Sequence, residues 1–166
     1  MKKIIIYSSK TGNTKMVAQA IADELSCDAL SYENAPNLND FDLIILGYYI
    51  DKGGADSGFY KFVKEQIINK KVGYFITMGA EPEGEILEKT MQNAREFLKE
   101  NEILREFVCQ GKIDPQIIEQ MKQIAQKMGD KAMHQITPER IARWEAAKTH
   151  PDKTDLLNAK NAFSGL

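Results

Sequence analysis

The chain is predicted to fold as a doubly wound α/β protein: a three-layer sandwich around a five-stranded parallel sheet, with a helical extension at the C-terminus. Three observations predict it. Short unbroken apolar runs recur along the sequence, amphipathic segments of helical period separate them, and a polar run of hydroxyl and amide residues joins the first apolar run to the first helical segment. Unbroken apolar runs suit strands covered on both faces, and strands alternating with crossover helices build a parallel sheet. Right-handed crossovers bring all the strand C-terminal ends to one edge, so the loops leaving that edge form the expected site.

The first strand is Ile4–Tyr7, followed by a helix with Met16, Val17, Ala20, Ile21 and Leu25 on one face. A weaker second strand covers Ala29–Tyr32, and Leu43–Leu46 is the third. Phe59, Phe62, Val63 and Ile67 mark the next helix, Val72–Met78 the fourth strand, and Ile86, Leu87, Met91, Ala94, Phe97 and Leu98 the helix after it. Phe107–Cys109 is the fifth strand.

Beyond Gly111 the pattern is helical only. Asp114-Pro115 reads as an N-cap followed by proline at the first helical position, Ile117, Ile118, Met121, Ile124, Ala125 and Met128 supply an apolar face, and Gly129 ends the helix. Thr137-Pro138 opens a second helix carrying Ile141 and Trp144, and His150-Pro151-Asp152 separates it from a third carrying Leu156, Ala159 and Phe163. Trp144 is expected to dock this extra helix. With 166 residues, a single domain is expected, with residues 1–112 as its βα core and 113–166 as its helical part.

Composition excludes several functions. The 22 Lys and Arg against 24 Asp and Glu give a net charge of −2, which offers no footprint for nucleic acid. Cys27 and Cys109 form no Cys-x-x-Cys pair, so reduced thiols without a structural zinc are expected. Met1-Lys2-Lys3 precedes an apolar run that ends at Tyr7, too short for a signal-peptide core or a membrane span, so the expectation is a cytoplasmic protein without membrane insertion. His134 and His150 have no metal-ligand spacing and read as surface residues.

The informative segment is Ser8-Ser9-Lys10-Thr11-Gly12-Asn13-Thr14, which runs from the first strand into the first helix. Hydroxyl and amide side chains, a glycine that permits close backbone approach, and free N–H groups at a helix N-terminus together make a cradle for a phosphate. No Gly-x-x-x-x-Gly-Lys-Ser/Thr loop exists, and no Gly-x-Gly-x-x-Gly follows a strand, which disfavours a triphosphatase and an adenine dinucleotide site. No Cys-x5-Arg is present either, so the cradle is expected to bind a phosphate without cleaving it.

The run Ser9-Lys10-Thr11-Gly12-Asn13-Thr14 resembles the Ser/Thr-x-Thr-Gly-x-Thr phosphate loop of the flavodoxin family, at that family's position after strand one. The resemblance covers about the first 110 residues and implies strand order 2-1-3-4-5 and FMN as cofactor. It implies that Ser9, Thr11, Asn13 and Thr14 hold phosphate oxygens by their side chains, with the N–H groups of Lys10 to Thr14 completing the shell. It places the flavin ring between the loops after strands three and four, around Tyr48, Tyr49, Ile50, Asp51 and Gly53 on one side and Thr77, Met78, Gly79 and Glu81 on the other. Tyr48 or Tyr49 either stacks on the ring or continues strand three into the core.

Two departures from the family bear on function. The second loop has no aromatic residue, only Met78, which leaves one flavin face open to a substrate or a partner's cofactor. The net charge of −2 is weak beside the acidity typical of electron-carrier flavodoxins. Glu81, Glu83, Glu85 and Glu88 form either a local acidic rim or a solvated helix start.

The resemblance implies a redox protein that passes electrons to a partner or an associated reductase, with no catalytic side chain and no metal. An alternative is an FMN-dependent oxidoreductase acting directly on a quinone, a nicotinamide-linked substrate or a tetrapyrrole. Gly47–Gly53 and Phe59–Lys64 resemble the third-strand loop and helix of flavodoxin-type protoporphyrinogen oxidase. A third reading is a flavin-free module that docks through the helical extension.

Overall fold

The computed structural model describes residues 1–131 and 135–166, so His134 lies outside the described residues. Five parallel strands, β1 (Lys3–Tyr7), β2 (Asp28–Ser31), β3 (Leu43–Tyr49), β4 (Lys71–Met78) and β5 (Glu102–Gln110), form one sheet in the order β2-β1-β3-β4-β5. The helices are α1 (Asn13–Leu25), α2 (Ser57–Gln66), α3 (Gly84–Phe97), α4 (Pro115–Met128), α5 (Pro138–Ala147) and α6 (Lys153–Phe163).

The period-two alternation of strand side chains sorts the core into two layers. Ile4, Ile6, Ile44, Leu46, Val72, Tyr74 and Ile76 face Phe59, Val63 and Ile67 of the α2 segment and Ala94 and Leu98 of the α3 segment. Ile5, Tyr7, Leu43, Ile45, Phe75 and Cys109 face α1 and α6, where Val17, Ile21, Ala159 and Phe163 are buried. Gly73 makes the second layer possible, because a Cβ there would stand 2.8 Å from the Phe163 ring.

The sequence-predicted elements are present, and the strands differ in extent. β5 begins five residues before Phe107, at Glu102, because an edge strand exposes one side and tolerates Glu102, Arg105 and Glu106 among its apolar positions. β3 continues through Tyr48 and Tyr49, and β2 ends at Ser31, where a single 3₁₀ turn (Tyr32–Asn34) takes over.

The three C-terminal helices do different jobs. α6 completes the layer beside α1, whereas α4 has no buried residue and α5 buries only Trp144 and Ala147. The pair α4–α5 is therefore an excursion that leaves the sheet at the C-terminal end of β5 and returns through Pro151 to α6. Among the described residues no helix is long and apolar enough to cross a membrane.

Candidate functional site

The site lies at the C-terminal edge of the sheet, where the strand order reverses between β1 and β3, the position at which doubly wound sheets bind ligands. The β1–α1 loop leaves the sheet with the Ser8 N–H donating to Gly47 O at 2.9 Å and the Ser8 hydroxyl donating to Asp56 Oδ2 at 2.6 Å. Asp56 also caps α2, accepting from the Phe59 N–H at 3.1 Å, so one carboxylate couples two loops of the site. Gly12 adopts φ +95°, a conformation that favours glycine, and its carbonyl accepts the first helical bond of α1 from Met16 N at 3.0 Å.

The N–H groups of Lys10 to Thr14 have no acceptor among the described residues. They gather at the N-terminus of α1, whose first turn carries no acidic residue. Unpaired N–H groups and the positive end of the helix dipole favour an anion there. Ser9 shapes the loop, its Oγ accepting from Lys15 N at 3.2 Å while its own O–H is left to donate. Thr14 is 1% exposed and lies beneath the loop, its Oγ1 2.9 Å from Thr77 Oγ1.

The other two loops are fixed to each other. Ile50 N–H donates to Thr77 O at 3.0 Å, Gln110 Nε2 to Gly79 O at 3.1 Å, and Gly111 N–H to Met78 O at 2.8 Å. Asp51 and Gly54 pair across a two-residue turn with positive φ at both Lys52 (49°) and Gly53 (91°), the signature of a type I′ hairpin. Asn13 Nδ2 donates to Lys112 O at 2.8 Å, an approach that only glycine at 111 permits, since a Cβ there would lie 2.6 Å from that nitrogen.

These loops bound a cavity of about 410 Å³. Of the sequence-predicted site residues, Lys10, Thr11, Asn13, Tyr49, Ile50, Asp51, Thr77, Met78 and Gly79 line it. Ser9, Gly12 and Thr14 shape the cradle, Gly53 belongs to the hairpin turn, and Glu81 is exposed on the way to α3. Tyr48 lies in the core at 2% exposure, its ring centroid 6.0 Å from those of Phe59 and Phe97, and burial pushes its phenol far up. Alternation along β3 decides between the two tyrosines: Tyr48 shares the face of Ile44 and Leu46, while Tyr49 comes to the sheet edge.

Sequence reasoning missed the far wall. Ile113, Ile117 and Met121 from the α4 segment and Arg140, Arg143 and Trp144 from α5 line the same cavity. The helical extension thus supplies to the cavity wall an aromatic residue, Trp144 at 7% exposure, whereas the β4 loop has none. A signal was present: Ile117 and Met121, like Arg140 and Trp144, are spaced i, i+4 and share a helix face. Only the topology shows that these faces turn toward the loops.

Other titratable groups have structural roles. Cys109 is 2% exposed, and burial, with smaller contributions from Asp155 and Asp152, pushes its thiol up to about 12. Cys27 is half-buried, its thiol also raised by burial, and both cysteines are free. His150, read from the sequence as a surface residue, is half-buried with its Nδ1 2.5 Å from Asp155 Oδ2. Asp155 and Asp152 form the capping box of α6, and the His150 carbonyl accepts from Lys112 N–H at 2.7 Å, which anchors the β5–α4 loop.

Fold and loops together define a doubly wound α/β protein with a loop of unpaired N–H groups at a helix N-terminus, set at the switch point of its sheet. The chain belongs to the flavodoxin family: the profile of the flavodoxin domain matches residues 4–164. It is 33% identical to the flavodoxin-like domain-containing protein BilS of Clostridioides difficile (strain CD3), over 96% of this chain and 92% of that one. It is 26% identical to the protein of the same name from Clostridium symbiosum (strain WAL-14163), over 94% and 90% of the two chains. Among solved structures, oxidised Flavodoxin 2 from Bacillus cereus superposes with a TM-score of 0.58 at 18% identity, covering 97% of this chain and 94% of that one. A flavoprotein from Lactobacillus acidophilus NCFM in complex with FMN gives a TM-score of 0.51 at 15% identity, covering 72% and 97%.

Proposed function

We propose that the chain binds FMN in this cavity and works as a redox protein that passes electrons to a partner protein or an associated reductase. The observation that carries the reading is the β1–α1 loop, in which the Lys10 to Thr14 N–H groups have no internal acceptor while Thr11 and Asn13 line the cavity beside them. A phosphate matches that donor set in charge and in hydrogen-bonding need. The cofactor fits the rest of the cavity as well: Met78 and Ile50 offer apolar contact, Tyr49 an aromatic ring, and Gly79 a backbone free of side-chain bulk.

When bound, FMN supplies one- and two-electron redox chemistry. The residues of this chain bind and position it. Lys10, Thr11 and the loop N–H groups hold the phosphate, and Asn13 holds the loop to Lys112. Ile50, Thr77, Gln110 and Gly111 lock the two flanking loops at fixed separation. Rigid loops limit reorganisation at the site, and none of these side chains has to move a proton for electrons to pass.

The second reading is a direct FMN-dependent oxidoreductase, favoured by one observation: Arg140, Arg143 and Trp144 stand over the cavity from a helical pair that does not cover the sheet. Anaerobic reduction of the FMN-loaded chain separates the two. Stepwise uptake of single electrons from dithionite, with no reduction by NADH or NADPH, supports the carrier. Reduction in one two-electron step by a nicotinamide supports the oxidoreductase, and failure to take up FMN refutes both.

A further inference from the structure

We infer that the mouth of the cavity is a second binding site, for a small aromatic carboxylate held by Arg140 and Arg143; the inference rests on the FMN reading for what lies beneath it. Charge is the first observation. The chain as a whole carries −2, yet the cavity is lined by Lys10, Lys112, Arg140 and Arg143 against only Asp51 and Asp114. Asp114 is also the N-cap of α4, accepting from Gln116 N at 2.9 Å, and the four cations outnumber the two carboxylates.

The arginines stand apart from the phosphate cradle in origin and in setting. Arg140, Arg143 and Trp144 occupy i, i+3 and i+4 of α5 and so share one face of it. Arg140 is half-buried and Arg143 exposed, which puts them toward the rim, while Trp144 at 7% exposure forms the wall. Among the described residues neither guanidinium makes a hydrogen bond or an ion pair with a carboxylate, although the charge of Arg143 is felt by Glu139. With no carboxylate hydrogen-bonded to either guanidinium, their N–H groups are left to donate in pairs to an incoming carboxylate.

The apolar half of the site explains α4. That helix buries none of its side chains in the protein, yet Ile117 and Met121 line the cavity with Trp144. An adaptable methionine, a branched aliphatic and an indole suit a flat hydrocarbon body, while the arginines take its acid group. The concavity favours a small molecule over a protein surface.

The test uses the native reporter Trp144, the one tryptophan of the chain, together with calorimetry. 2-Naphthoate and the uncharged 2-naphthamide are titrated into the FMN-loaded chain and into the apo chain. At least tenfold tighter binding of the acid is expected, with the preference abolished in R140Q/R143Q and partly restored in R140K/R143K. R140K/R143K keeps both charges, and in it FMN and riboflavin affinities should stay within twofold of wild type. Equal binding of acid and amide, or a preference that survives R140Q/R143Q, overturns the proposal. So does a loss of affinity for FMN but not riboflavin in R140K/R143K, since the guanidinium groups would then be ligands of the flavin phosphate. If the wild-type chain takes up no FMN, the FMN reading fails by itself, and the naphthoate preference of the apo chain still decides the arginine site.

Discussion

Thr11 and Thr14 both offer hydroxyls in the sequence motif, and the structure sets them in different surroundings. Thr11 is exposed and lines the cavity, whereas Thr14 is 1% exposed with its Oγ1 2.9 Å from Thr77 Oγ1. Thr11→Ala removes one donor to a charged acceptor, which is worth about 1.5–3 kcal/mol. That corresponds to a loss of roughly 10- to 150-fold in FMN affinity, with riboflavin, which has no phosphate, unchanged. Thr14→Ala instead leaves Thr77 Oγ1 without its partner in a buried position, so about 1–3 kcal/mol of folding stability should be lost. The assay is quenching of flavin fluorescence for both ligands, paired with urea unfolding of the apo chain. Equal loss of FMN and riboflavin in Thr11→Ala, or undiminished stability in Thr14→Ala, would refute these assignments.

Three further outcomes are expected. Phe163→Ala should cost about 3–5 kcal/mol, because Phe163 is fully buried between α1 and the sheet, whereas Ile124→Ala at 52% exposure on α4 should stay within about 0.5 kcal/mol; comparable unfolding midpoints would contradict the division of labour between α6 and α4. Arg95 bonds both carboxylate oxygens of Glu106 at 2.6–2.7 Å and, with a bond from the Tyr74 hydroxyl, holds that carboxyl below its ordinary value of 4.5. A lowered native value means that Glu106 stabilises the fold above pH 4.5 and loses that contribution as pH falls through the native value, so Glu106→Gln should flatten the acid limb of stability against pH, and an unchanged limb would count against the pairing. Native thiol labelling at pH 8 should modify Cys27 and leave Cys109 untouched until urea is added, because only thiolate reacts and Cys109 is pushed up to about 12.

The fold was legible because its signals are local. Ile4–Tyr7 and Val72–Met78 are too apolar for anything but doubly covered strands, and Asp114-Pro115 with Gly129 delimits α4 by capping chemistry alone. The cradle was legible for the same reason, since Ser9 to Thr14 are contiguous. The tyrosines show where locality ends. A run of seven apolar or glycine residues in β3 carries no alternation, so the face taken by Tyr48 depends on what packs above it, Phe59 and Phe97 from two different helices. Glycines at 53 and 111 had a conformational role that composition could not specify, one in a type I′ turn and the other against Asn13. The far wall was hidden most deeply, because Arg140 and Trp144 reach the site through an excursion of two helices, and the apolar stripe of α4 reads in sequence like any core-facing stripe.

Equilibrium titration of the purified, flavin-stripped chain with FMN, followed by flavin fluorescence and visible absorbance, bears on the cradle before any variant is made. Saturation at one FMN per chain, with riboflavin bound at least tenfold more weakly and inorganic phosphate competing against FMN alone, is the predicted result. Riboflavin and FMN binding equally well, or neither binding to the folded chain, would contradict a phosphate site at the N-terminus of α1.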